Sequence, residues 1–215
     1  SVQWVNNETG VIQDVEKISR LCEERGVRFH TDAAQAIGKL ELDVASLPID
    51  FLSLTGHKIH APQGVGALYV KEPRKLKPLF YGGSQEKGLR PGTENVPGIV
   101  GLGKAAELRS SRFAEIEEHC RGLRDRFETA ILEHSGDVLV NGVGAQRVGN
   151  TSNLMFKGVD GQALVARLDQ IGVLCSQSSA CTNMRPEPSY VLVAMGLSEA
   201  EAYSSARFAF SEENT

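Results

Sequence analysis

Phe51-Leu52-Ser53-Leu54-Thr55-Gly56-His57-Lys58 decides how this chain is read. An apolar, strand-like run ends in a hydroxyl, a glycine, an imidazole and an amine, and the turn-rich Ala61-Pro62-Gln63-Gly64 follows. A lysine delivered by a buried strand is poorly placed for solvation and well placed to form a Schiff base. Upstream, Asp32 follows the apolar Val27-Arg28-Phe29, and Gln35 stands three residues later. A carboxylate past one strand end and a lysine past a later one form the pair that pyridoxal phosphate (PLP) needs. The lysine takes the aldehyde, and the carboxylate keeps the pyridine nitrogen protonated so that the ring acts as an electron sink.

Working outward, the first half alternates strand and helix signals. Residues 2–5, 27–29, 51–54 and 67–70 read as strands. Residues 15–25 carry Val15, Ile18, Leu21 and Cys22 on one helical face and stop at Gly26. This alternation implies βαβ units and a mostly parallel sheet, in which functional groups collect beyond the carboxyl ends of the strands. Asn7, Asp32 and residues 55–58 all follow strand-like runs. A glycine-rich stretch from Tyr81 to Asn95 reads as a long loop. Residues 98–135 are helical. Strands at 138–140, 153–156, 173–175 and 206–210 and a helix at 161–171 follow. Ser198-Glu199-Ala200-Glu201 reads as a capping box. The expected fold is α/β, with residues 1–113 in one domain and 114–215 in a smaller α+β domain.

Bulk properties set limits. A chain of 215 residues buries a real core. The net charge of −4 argues against a nucleic-acid partner, and no apolar run is long enough to span a membrane. Four scattered cysteines without a C-x-x-C pair argue against a metal site and favour a reducing, cytoplasmic setting. The chain opens at Ser1 with Val2-Gln3-Trp4-Val5, a strand entered in the middle of a fold, so a fragment or a processed chain is expected.

Each candidate has a plainer alternative. Lys58 alone would be a surface lysine; its apolar strand, His57 and the Asp32/Gln35 pair argue otherwise. Ser53, Thr55 and His57 offer polar groups to a phosphate-sized anion. Asp32 could cap a helix beginning Ala33-Ala34-Gln35-Ala36, and Gln35 could be a solvated helix residue. Asn7, in Asn6-Asn7-Glu8-Thr9-Gly10, is by itself a turn residue. Cys181 lies in a polar, serine-rich stretch where a thiol becomes nucleophilic if its pKa falls, whereas Cys175 ends an apolar run and suits packing. Arg207, in Ser204-Ser205-Ala206-Arg207-Phe208, needs a partner: either a structural ion pair or a substrate carboxylate. Cys22 and Cys120 read as helix packing, and His30 and His60 receive no chemistry.

Six motifs in order resemble one family: Val5-Asn6-Asn7-Glu8-Thr9-Gly10, His30-Thr31-Asp32-Ala33-Ala34-Gln35, Ser53-Leu54-Thr55-Gly56-His57-Lys58, Arg90-Pro91-Gly92-Thr93, Ser178-Ser179-Ala180-Cys181-Thr182 and Glu187-Pro188-Ser189-Tyr190-Val191-Leu192. They look like those of the PLP-dependent cysteine desulfurases of the NifS/IscS type, in the class-V aminotransferases. The resemblance runs along the whole chain. It implies PLP-dependent transferase fold type I (aspartate-aminotransferase-like), here an incomplete large domain plus the small C-terminal domain, because the family is usually nearly twice this long.

By the same resemblance, Lys58 is the Schiff-base lysine, Asp32 the partner of the pyridine nitrogen and Gln35 that of the ring hydroxyl. Thr55 and His57 are phosphate ligands. Thr93 reaches the phosphate of a neighbouring subunit's cofactor, which implies a homodimer. Asn7 contacts substrate and cofactor, and Arg207 holds the substrate carboxylate. Cys181 is the nucleophile that takes sulfur from L-cysteine as a persulfide and leaves alanine; a sulfur-acceptor or iron–sulfur scaffold protein receives the sulfur. The alternatives are a selenocysteine lyase or cysteine-sulfinate desulfinase, and a truncated, non-catalytic dimerisation or docking module. Departures from the family pattern are Gln177-Ser178-Ser179, His60-Ala61-Pro62-Gln63 and Ser211-Glu212-Glu213.

Overall fold

A computed structural model describes residues 1–73, 76–177 and 187–215. The chain divides into two compact units: residues 1–4 with 13–113, and residues 5–12 with 114–215. Residues 5–12 thus leave the first unit between its opening strand and its first helix.

In the first unit, β1 (Val2–Gln3), β2 (His30–Asp32), β3 (Phe51–Thr55) and β4 (Gly66–Val70) form one sheet in chain order. β1 and β3 both run parallel to β2, and β4 returns antiparallel along β3. The parallel pairs need crossovers, and helix α1 (Val15–Glu24) lies in the first of them. The short 56–65 connection turns the chain straight back, which makes the last pair antiparallel. α1 opens where the Asp14 carboxylate accepts from the Lys17 N–H at 2.9 Å. It ends at Gly26, whose φ of +62° suits a residue without a side chain.

Two expectations shift here. The second strand is His30–Asp32 rather than 27–29, because Val27 is 55% exposed and only Phe29 of that run is buried. Leu21 is not on the buried face of α1 but 46% exposed; Val15 and Ser19 are buried instead. The rest of the core comes from Trp4, Ala33, Ala36, Ile49, Leu52 and Ile59. Helix α2 (Val96–Ser111) starts under Asn95, whose side chain accepts from the Gly98 N–H, and packs on the turn that follows β3.

The second unit holds helix α3 (Phe113–His134), which begins at the last residue of the first unit, and an antiparallel sheet of β5 (Val138–Val140), β6 (Thr151–Phe156) and β7 (Ser205–Ala209), with β6 central. Its core joins Val138, Leu154, Ala206 and Phe208 to Phe127, whose ring centroid lies 4.8 Å from that of Phe208. Helices α4 (Gly161–Gln170), α5 (Tyr190–Ala194) and α6 (Glu199–Tyr203) complete it. Residues 173–175 are not a strand: the run pairs only at Ser176, in an isolated bridge to Arg207. Leu174 is 81% exposed, so the run lacks the buried face a strand requires. The capping box at α6 forms fully, with Ser198 and Glu201 each bonding the other's backbone N–H.

Candidate functional site

The first unit places six of the sequence candidates. Asp32 is the last residue of β2 and sits in register with Ser53 of the adjacent parallel strand. β3 continues two residues further, to Thr55, and a 3-10 turn, Gly56–Ile59, carries His57 and Lys58. The carboxylate, hydroxyl, imidazole and amine therefore all leave from the carboxyl ends of neighbouring parallel strands, where open α/β sheets bind ligands.

Local chemistry explains each position. Asp32 Oδ1 accepts from the Ala34 N–H at 2.9 Å, so the carboxylate caps a tight turn; no α-helix follows. The Ala33 carbonyl accepts from the Ala36 and Ile37 N–H groups, which folds Gln35 into that turn. The Thr55 hydroxyl and His57 Nδ1 are hydrogen-bonded at 2.9 Å, which holds the imidazole beside the hydroxyl. Gly56 is buried, and a Cβ there would come within 2.9 Å of the Ala61 Cβ and 3.0 Å of Val65 Cγ1, so the tight exit from β3 admits only glycine. Buried Ile59 anchors the far end of the turn.

Lys58 is exposed, contrary to the expectation of a poorly solvated amine. The strand is buried at Leu52, but the 3-10 turn lifts residues 57 and 58 clear of that core. Thr93 is exposed between the Gln85–Gly88 turn and α2. The Ser53 hydroxyl pairs with His30 Nε2 at 3.2 Å.

The second unit brings two further candidates together. Arg207, on β7, donates from Nη1 to the Asn7 carbonyl at 2.9 Å. Asn6 shapes the turn that contains Asn7: its Oδ1 accepts from the N–H groups of Glu8 and Thr9, each at 2.9 Å. Cys175 is half-buried against the core, and burial, helped by Asp169, pushes its thiol above the ordinary value. Cys181 lies outside the described residues.

Two residues that sequence reading passed over belong here. Glu8 is 2% exposed and accepts from the Ser189 hydroxyl at 2.5 Å. Lys39 is buried and donates to Gln35 Oε1. The i, i+4 spacing of Gln35 and Lys39 was the available signal for the second. Nothing marks Glu8, because charged residues in a turn are ordinarily solvated.

As a donor set, a primary amine, a carboxylate, and a hydroxyl paired with an imidazole fit an aldehyde, a pyridine nitrogen and a phosphate respectively. The first unit therefore has the functional groups that PLP requires. Among the described residues no cluster of His, Cys, Asp and Glu is placed to hold a metal ion, and no helix is long and apolar enough to cross a membrane.

Residues 1–215 match the family described as aminotransferase class-V. A protein of Gluconacetobacter diazotrophicus named cysteine desulfurase is 47% identical over 215 residues, covering 100% of this chain and 54% of that protein. The solved NifS-like protein from Rickettsia africae superposes with a TM-score of 0.90 at 32% identity, over 99% of this chain and 56% of that one. A structure described as SspA in complex with cysteine gives a TM-score of 0.78 at 40% identity, over 99% and 58%. The chain thus spans about half the length of the relatives it matches.

Proposed function

The chain belongs to the class-V aminotransferase family, and on that premise we propose that it carries the lysine-bearing part of a PLP-dependent cysteine desulfurase. The reaction removes sulfur from L-cysteine, yields alanine and leaves a persulfide on Cys181. The observation that supports this best is the register of Asp32 with Ser53, two residues before Thr55 and five before Lys58. It gathers the carboxylate, the hydroxyl–imidazole pair and the amine at one end of two adjacent parallel strands.

Bound PLP supplies an electron sink that makes the substrate's Cα proton acidic. Lys58 would hold PLP through its aldehyde, and its amine would move the proton at the substrate Cα. Asp32 would keep a proton on the pyridine nitrogen, and Thr55 with His57 would bind the phosphate. Arg207 and Asn7 orient the substrate, with the guanidinium matching its carboxylate. The Cys181 thiolate attacks the substrate sulfur; the carbon–sulfur bond breaks, and its electron pair stays with the carbon that becomes the methyl of alanine. The persulfide sulfur passes to an acceptor protein that builds iron–sulfur clusters or thiolated cofactors. The protein works in the cytoplasm as a homodimer, with Thr93 reaching the partner's cofactor phosphate.

The test is a visible spectrum of the purified chain with added PLP, followed by borohydride reduction and peptide mapping. The expected result is an absorbance band trapped as an adduct on Lys58 and absent from Lys58→Ala. An adduct on another lysine, or no adduct, removes the assignment.

A further inference from the structure

Lys39 is 8% exposed, and the oxygen of the Gln35 side chain accepts a hydrogen bond from its ammonium. Burying an ammonium is costly unless acceptors meet it, so this contact is a built feature of the fold rather than an incidental surface pair. The backbone sets it up. The Ala36 carbonyl accepts from the Lys39 and Leu40 N–H groups, each at 3.0 Å, which continues the turn begun at Ala33 and stacks Lys39 one turn beyond Gln35.

The chemistry of the pair removes an ambiguity. A carboxamide can present either its oxygen or its NH2, but an ammonium has three donors and no acceptor. The Gln35 oxygen must face Lys39, because the flipped amide would set NH2 against the ammonium. With the oxygen turned to Lys39, Nε2 is the amide's face toward a ligand, and it has no hydrogen-bond partner among the described residues.

We infer that Lys39 is a positioning residue that locks the Gln35 carboxamide as a pure donor, so that this corner of the site accepts a ligand oxygen carrying negative charge and rejects a ligand hydroxyl that must donate. This rests on the reading of Gln35 as partner of the PLP ring oxygen. Ionised, that oxygen is an acceptor and suits a fixed donor.

A double-mutant cycle on PLP affinity, read by absorbance, tests the relay. Lys39→Met should weaken PLP binding roughly fivefold where Gln35 is present, about the net worth of one hydrogen bond. In the Gln35→Ala background it should change little. An equal loss in both backgrounds overturns the relay and leaves Lys39 a packing residue. An unchanged affinity in Gln35→Ala alone overturns the ring-oxygen reading instead, and a chain that takes up no PLP overturns its cofactor site. NMR without cofactor reads the lock itself: the Gln35 carboxamide signals should move in Lys39→Met, and an unmoved pair overturns it. Should Lys39→Met not fold, Gln35→Glu carries the test. Its carboxylate still accepts from Lys39 but has no donor to offer, so it should bind PLP less tightly than Gln35→Ala; equal or tighter binding overturns the donor assignment.

Discussion

The Arg207 guanidinium reaches back across 200 residues of sequence to the main-chain carbonyl of Asn7. The same turn is held from two other directions. Asn153 Nδ2 donates to the Glu8 carbonyl at 3.2 Å, and the Ser189 hydroxyl donates to the Glu8 carboxylate at 2.5 Å. A turn that would be mobile by itself is thereby tied to β6, to β7 and to the N-cap of α5. The two residues assigned to the substrate are also the two ends of one hydrogen bond.

Replacing Arg207 with lysine tests whether that bond and substrate binding share one side chain. A lysine is a point charge and cannot hold the Asn7 carbonyl and a carboxylate in one planar fork. The KM for L-cysteine should rise about 10–100-fold, the range of a hydrogen bond to a charged group. PLP affinity should fall far less, since of the assigned cofactor contacts only Asn7 is touched. An unchanged KM would show that Arg207 serves the turn alone.

Glu128 and Arg147 make an enclosed ion pair, with two parallel bonds of 2.7 and 2.9 Å and side chains only about a tenth exposed. The hydrogen bond to Glu128 holds the guanidinium pKa above its ordinary value despite burial. Arg147 also bridges Val11, and the Ile12 N–H donates to the Gln146 carbonyl at 2.9 Å, so the pair backs the 5–12 segment. Arg147→Met should cost roughly 3 kcal/mol in urea unfolding by stranding a buried carboxylate. The double variant Glu128→Leu/Arg147→Met should recover most of that. A single variant as stable as the parent would show that water already screens the pair.

What was legible in the sequence follows the physics of each signal. The strand, glycine and lysine at 51–58 could be read because a buried strand and a tight exit leave marks in residue type. The capping box at Ser198 could be read because both of its bonds are local. The strand at 30–32 was misplaced because Val27 looks like a core residue and is not, while His30 and Asp32 look polar and are strand residues. Burial of Glu8 and Lys39 was hidden for a different reason. Each depends on partners that composition cannot name: Ser189 lies 181 residues away, and the Lys39 contact needs the turn that follows Asp32. The exposure of Lys58 depends on the 3-10 turn, a geometry that four residues of sequence do not announce.

The capping box carries a pH dependence whose sign is fixed. Glu201 has its carboxyl pKa lowered from the ordinary 4.5, first by the Ser198 side-chain hydrogen bond and then by the Ser198 backbone N–H. A carboxyl depressed in the folded state contributes stability that is complete above its unfolded value and is lost as pH falls through the folded one. Protection of the α6 amides, exchange measured against its intrinsic rate at each pH, should therefore fall only below about pH 4.5, and Glu201→Gln should remove that dependence. A carboxyl titration of Glu201 centred at or above the unfolded value would contradict the box as a charged cap.

Cys175 and Cys181 separate by reactivity if the sulfur carrier is assigned correctly. Burial keeps the Cys175 thiol protonated beyond the usual range, so its thiolate is scarce at neutral pH and its attack on a sulfur atom slow. After incubation with PLP and L-cysteine, mass spectrometry should find the persulfide on the peptide containing Cys181 and none on that containing Cys175. Cys181→Ala should abolish the persulfide while the PLP absorbance remains, and Cys175→Ala should leave the yield within about twofold of the parent, as expected for a packing thiol. Persulfide on Cys175, or unchanged alanine production in Cys181→Ala, would move the nucleophile elsewhere.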